Sequence, residues 1–192
     1  MNKRTPVCLV LKSAVLLVTL LCVFPLFATN PQKKEMKELN VKKVSLANVA
    51  VENIPALLDK EKVAFQSINT VNWKAFPYQP EVQFRIAHTD DAILVHYKVK
   101  EASVRAVAAG DNGAVWEDAC VEFFSIPAGD GIYYNVECNC AGTLLIGAGA
   151  GRENREHAPQ EVMDKVQRWS SLGRQSFEER VGECNWELAL VI

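Results

Sequence analysis

Apolar and polar residues alternate along much of the chain from residue 81 onward, and a period of two marks strands with one buried face. The alternation is clearest at 81–88 and again at 92–99. Thr89-Asp90-Asp91 between them is turn chemistry, so the two runs predict a hairpin. Further strands are predicted at 118–126, 131–140 and 142–147, the first two separated by Pro127-Ala128-Gly129-Asp130. The tail predicts a last hairpin, 177–181 and 184–192, turning at Gly182-Glu183. Upstream, 41–51 predicts a short first strand and 54–64 a short amphipathic helical piece. Residues 73–80 read as a proline-punctuated aromatic loop and 102–112 as a mobile link, while Val162, Val166 and Trp169 give 159–169 a helical spacing. Short strands at regular spacing with one small helical insert predict an all-β protein, an antiparallel β-sandwich.

The N-terminus departs from this pattern. Lys3, Arg4 and Lys12 precede an uncharged apolar run over 14–28, which ends in Ala28 before Thr29-Asn30-Pro31. Residues 1–28 read as a secretory signal peptide, and the alternative is an uncleaved N-terminal anchor. Cys22 follows Leu20-Leu21 rather than a small residue, which argues against a lipoprotein anchor. Residues 29–38, rich in Lys and Glu, read as a linker, and 39–192 as one domain large enough for a real core. The expected location is outside the cytoplasm, either periplasm or cell surface. The chain ends within an apolar strand, Trp186 to Ile192, which suggests a domain lacking its last strands.

Charge and cysteines narrow the chemistry. A formal charge of −2 supplies no field to attract nucleic acid. Of six cysteines, Cys8 and Cys22 fall in the signal, leaving Cys120, Cys138, Cys140 and Cys184. Cys138 and Cys140 are too close along one strand for an unstrained bridge, and these thiols read mostly as small buried hydrophobes. His88, His96 and His157 show no ligand spacing, so neither a metal nor a cofactor is predicted.

The run Trp116-Glu117-Asp118-Ala119-Cys120-Val121-Glu122-Phe123-Phe124 carries the most chemistry. As one strand it sends Ala119, Val121 and Phe123 to a core face, and Trp116, Asp118, Cys120, Glu122 and Phe124 to the other. That second face joins an aromatic ring to two carboxylates. A sugar matches it with an apolar C–H face and a rim of hydroxyls. The plainer interpretation is a solvated charged face whose tryptophan plugs an edge. Asp118 and Glu122 lie about 13 Å apart at strand rise, too far for either glycosidase geometry. Asp118 paired with Glu137 across the sheet stays open as an acid pair. Tyr133, Asn135, Glu137 and Asn139 form the polar face of the next strand. Gly147-Ala148-Gly149-Ala150-Gly151-Arg152 fails the dinucleotide fingerprint in spacing and context, and reads as a flexible loop carrying Arg152 and Arg155. Trp186 is expected in the core, Trp169 over the helical insert, and Trp73 in the open.

The Trp116–Phe124 run resembles the Trp-Glu…Val-Glu strand of family-9 carbohydrate-binding modules, relatives of the DOMON superfamily. Phe84-Arg85-Ile86-Ala87-His88, Ile93 to Tyr97, Tyr133 to Asn139, Arg168 to Gly173 and Trp186-Glu187-Leu188 agree with it in order and spacing. The resemblance spans roughly 39–192 and is similar to stand-alone proteins of glycan-degrading Bacteroidetes. It implies a jelly-roll-like or DOMON-like sandwich that binds the terminal sugar of a glycan or an oligosaccharide without catalysis, in support of polysaccharide breakdown and alongside glycoside hydrolases. Trp116 matches one of the family's two stacking tryptophans and Glu122 its hydroxyl-binding acid. The second tryptophan falls beyond residue 192, and the family's arginine falls at or near Glu137. Some members bind calcium, for which no loop is assigned here. The expected carbohydrate-binding residues are Trp116, Glu122 and Asp118, followed by Asn135, Glu137 and Arg152. The competing expectations are a haem-binding redox module, whose only methionines after the signal are Met36 and Met163, and an accessory part of a glycoside hydrolase.

Overall fold

Two β-sheets face each other in the computed structural model, which describes residues 38–47 and 49–192. The first sheet runs β1 (Lys42–Lys43), β3 (Glu81–His88), β4 (Ile93–Ala106), β10 (Phe177–Val191), β9 (Gln167–Ser170), with β2 (Gln66–Ile68) also paired to β3. The second runs β5 (Cys120–Ser125), β6 (Tyr133–Asn139), β7 (Leu144–Gly149), β8 (Glu156–His157). Pairing is antiparallel throughout, except that β1 joins β3 in parallel. The signal assigned to 1–28, and the linker assigned to 29–38 save its last residue, lie outside the described residues.

The alternation read in the sequence produces this architecture. Val95, Tyr97 and Val99 of β4 and Trp186, Leu188 and Leu190 of β10 point inward, where they meet Val121 of β5, Val136 and Cys138 of β6, and Leu144 and Ile146 of β7. Trp186 is therefore a core residue, 3 % exposed. The opposite face of the first sheet is also covered. Leu94, Ala87, Ala189 and Val191 pack beneath Ile54 and Leu58 of helix α1 (Ile54–Lys60). Pro55 at the start of α1 suits a position whose N–H has no helical partner.

A polar seam crosses this second layer. Arg85, 2 % exposed, donates from Nε to His96 Nδ1 at 3.0 Å, from Nη1 to Asp59 at 2.5 Å and from Nη2 to the Pro55 carbonyl at 2.8 Å. His96 then donates from Nε2 to Glu187 at 2.8 Å, the tautomer that the Arg85 bond requires. Phe65 covers the seam, 5.5 Å from the His96 ring and 4.4 Å from the Arg85 guanidinium. Each guanidinium nitrogen of Arg85 thus has a partner, and α1 is fastened to the sheet by charge as well as by apolar contact.

Several boundaries differ from the expected ones. The first strand shrinks from 41–51 to the two residues of β1. The mobile link at 102–112 is structured in its first half, because β4 continues to Ala106 against β10. The expected terminal hairpin is a single strand, β10. Gly182 at φ +128° absorbs a bulge between Val181 and Cys184 instead of reversing the chain. The helical insert is one turn, α2 (Gln160–Met163), and Trp169 belongs to β9. Of the three positions in the helical spacing only Val166 is buried in the core, where Met163 joins it, whereas Val162 is 41 % exposed.

Candidate functional site

Register assigns each residue of the second sheet to a face. Glu122 lies directly opposite Glu137, Phe124 opposite Asn135, and Cys120 opposite Asn139. Asn135 in turn pairs with Gly147, Glu137 with Leu145, and Tyr133 with Gly149. Since paired residues share a face, Glu122, Glu137, Asn135, Phe124 and Tyr133 all lie on the side away from the core. Four of the six expected binding residues, Glu122, Asn135, Glu137 and Arg152, meet on or beside this face.

Its floor is polar and enclosed. Asn135 is 1 % and Glu137 4 % exposed, whereas the sequence placed them on an outward polar face. Asn135 donates from Nδ2 to Glu137 Oε1 at 2.5 Å, and Arg155 stands 3.9 Å from the same oxygen. That leaves Asn135 Oδ1 and Glu137 Oε2 buried with no donor. The cover is the segment carrying Arg152 and Arg155, folded back over β7 as a 3-10 turn (Arg152–Asn154) and β8. The glycines of β7 make this possible. A methyl group on Gly149 would lie 3.0 Å from the Asn154 carbonyl and 3.2 Å from Arg155 Cα, and one on Gly147 3.4 Å from Arg155 Cδ. The first three residues of the glycine run end strand β7, whose bare face admits the arginine segment, and the rest turn into the 3-10 segment.

Glu122 stands at the edge of this floor. Burial, reinforced by the charge of Glu137, raises its carboxyl pKa, and Arg155 and Arg152 oppose the rise. Two carboxylates are therefore balanced by two guanidinium groups. One strand position further along, Phe124 is 56 % exposed and its ring lies 6.0 Å from that of Tyr133, over which the Arg155 guanidinium rests at 6.0 Å.

Trp116 and Asp118 lie elsewhere than the single-strand pattern implied, because β5 begins only at Cys120. Trp116 sits on a 3-10 turn (Val115–Glu117) packed against β6, with its side chain displayed to solvent, 56 % exposed. Asp118 follows the turn, and its carboxylate is fully buried and occupied. It accepts the backbone N–H groups of Val107 at 2.9 Å and Ala108 at 3.0 Å and the Asn139 amide at 2.8 Å, with Arg105 3.6 Å away. Burial alone would raise its pKa, but these donors together hold it below the usual carboxylate range. Asp118 is thus a structural clamp rather than a free acceptor for ligand. Arg155 and Tyr133 were not among the residues expected to bind. The spaced glycines facing Arg155 were the available signal for it.

Acceptors without donors, guanidinium donors and exposed rings suit a ligand with both hydroxyls and an apolar face. Among the described residues, no three His, Cys, Asp or Glu side chains gather as a metal cage. Comparison with known proteins identifies the family. The family model for carbohydrate-binding family 9 matches residues 52–192. A crystal structure of a candidate carbohydrate-binding protein from Bacteroides uniformis shares 63 % identity, covers 81 % of this chain and 72 % of its own, and superposes with a TM-score of 0.79. No curated protein matches. The chain belongs to carbohydrate-binding family 9.

Proposed function

We propose that the chain binds a neutral glycan on the outer face of its second sheet and performs no chemistry on it. The observation that carries this is the pair of buried acceptors, Asn135 Oδ1 and Glu137 Oε2, without a protein donor. Such atoms are costly unless something supplies a proton. A sugar hydroxyl does so, directly or through a water that it bridges. Glu122 accepts a second hydroxyl, Arg152 and Arg155 donate, and Trp116 offers its ring to the C–H face. The balance of two acids and two bases favours a ligand without net charge.

Glu122 and Glu137 are close enough across the strand pair to invite comparison with a retaining glycosidase. Hydrolysis requires both acids to reach the scissile bond, and Glu137 is 4 % exposed and takes the Asn135 amide. The haem reading lacks a ligand at Met163, which is completely buried in the core. Export to the periplasm or cell surface and cooperation with glycoside hydrolases fit a protein of this kind.

The test is a tryptophan-fluorescence titration of the chain and of Trp116→Ala with mono- and oligosaccharides. Removing this exposed ring leaves the melting temperature unchanged and weakens binding at least tenfold, about 1.4 kcal/mol. Equal affinity in the two proteins would remove Trp116 from the site. Release of reducing ends by the purified chain would overturn the non-catalytic reading.

A further inference from the structure

Glu122 and Glu137 stand directly opposite each other on β5 and β6, at the polar floor. Side chains so paired hold their Cβ atoms about 4.5–5.5 Å apart, and two like charges there repel. Glu137 is 4 % exposed, so little water screens it. Its Oε1 takes the Asn135 amide, and Arg155, which rests over β7, stands 3.9 Å from the same oxygen. Its Oε2 is buried and takes nothing. Compensation therefore reaches Glu137 from the β7 side and at one oxygen, while the second carboxylate lies across from it on β5.

The other charged and titratable groups around the pair act in known directions. Burial first and the Glu137 charge second raise the Glu122 pKa, and Arg155 and Arg152 oppose them. Cys120 shares the face on β5, but burial and these carboxylates push its thiol up to about 12, so it carries no charge. Asp118 is occupied by its own donors. On β8, Glu156 pairs with Ala148 and projects from the opposite side of the sheet, whereas His157 pairs with Gly147 and shares the face of Asn135. Glu153 is exposed on the turn beside Arg152. A proton on His157 would favour ionised carboxylates, against the repulsion within the pair. One proton on the pair itself ends that repulsion. Carried by Glu122 and donated to Glu137 Oε2, it also gives the orphaned oxygen its donor. A sugar hydroxyl supplies the same donor in the bound state.

Resting on the glycan reading above, we infer that Glu122 and Glu137 form a proton-operated switch: a proton shared by the two carboxyls occupies the acceptor that a sugar hydroxyl uses, so acid releases the glycan. The competition is reciprocal, and binding of the glycan expels the proton. The proton belongs to the pair and not to either residue alone. Affinity is full where both carboxyls are ionised and the two guanidinium groups balance them. It falls with pH as the pair takes up its proton.

The experiment titrates the chain, Glu122→Gln and His157→Gln by calorimetry at pH 7 and pH 5 with glucose, xylose and mannose and the β-1,4-linked disaccharide of each. In parallel, NMR follows the side-chain carboxyls of the ligand-free protein, labelled at glutamate, against pH. In the wild type, affinity for the bound sugar falls about tenfold from pH 7 to pH 5, and binding at the lower pH releases about one proton, read from the dependence of the heat on the buffer. One glutamate carboxyl titrates above the ordinary value of about 4.3. In Glu122→Gln, whose amide donates permanently to Glu137 Oε2, that titration is gone, and binding is weak and alike at the two pH values. His157→Gln keeps the wild-type dependence. Equal wild-type affinity at the two pH values, a dependence that survives in Glu122→Gln or vanishes in His157→Gln, or carboxyls that all titrate in the ordinary range would overturn the switch and leave the glycan reading intact. Absence of binding by every sugar, with the raised carboxyl still present, would overturn the glycan reading and the switch with it, while the shared proton stands. Circular dichroism at pH 5 confirms that the sheets are retained in all three proteins.

Discussion

At the residue scale the sharpest lesson is Asp118. Its position between Trp116 and Glu122 suggested an acceptor for sugar hydroxyls, yet the carboxylate satisfies two backbone N–H groups and an amide instead. What the sequence could not show is that Trp116 lies on a 3-10 turn, which breaks the alternation and aims Asp118 at the backbone of residues 107 and 108. Asp118→Ala leaves these donors without their acceptor, the buried Asn139 amide among them, and is expected to destabilise the fold by about 2 kcal/mol, measured by urea denaturation at pH 7. The sign with pH follows from linkage. The folded pKa lies below the ordinary 3.8, so the clamp is fully effective above that value and weakens as pH falls from it toward the folded pKa. The variant therefore loses the part of the wild-type acid sensitivity that lies below pH 3.8.

At the scale of elements, alternation located the strands but misjudged where some of them end. Polar residues on β6 were read as facing solvent, because a period of two says only that Asn135, Glu137 and Asn139 avoid the core. Asn135 and Glu137 are buried by a different cover, the segment folded back over β7, and Asn139 is enclosed with Asp118 and the backbone of residues 141 and 143. The glycines of β7 were visible in the sequence, but their purpose appears only when that segment is in place. Gly149→Ala sets a methyl group 3.0 Å from the Asn154 carbonyl and forces the Arg155 segment to shift away from β7. Glycan affinity is expected to fall at least fivefold in a titration, with a loss of stability of about 1–3 kcal/mol from overpacking. Likewise, Gly182 reads as a turn in the sequence and works as a bulge, since β4 is long enough to pair with β10 on both sides of it.

At the scale of the molecule the first sheet is the middle layer, with the second sheet on one face and α1 on the other. The sandwich was legible from alternation, but the α1 layer was not, because Arg85 and His96 read as the polar face of a solvated hairpin. Their seam gives the whole fold a pH dependence. Burial lowers the His96 pKa to about 4, partly opposed by the Glu187 hydrogen bond, while the Arg85 and Lys98 charges depress it further. Unfolding releases a histidine that protonates near 6.5, so stability falls as pH drops from about 6.5 toward 4. Thermal melts at pH 7 and pH 5 should show this loss in the wild type, and His96→Gln, which does not titrate, should flatten it. The two sheets are tied by a charged link of their own. Arg168 of β9 grips Asp111 through both nitrogens at 2.8 and 2.7 Å, and Asp111 also accepts the Leu144 N–H.

The inner wall of the second sheet carries Cys138, and Cys140 follows at its end, both completely buried and unbridged. Burial pushes each thiol up to about 12, so neither forms a thiolate at neutral pH while the layers stay closed. Until then the two sulfur atoms behave as hydrocarbon. The reactivity of these two thiols toward oxidants and alkylating agents is accordingly governed by how often the sandwich opens.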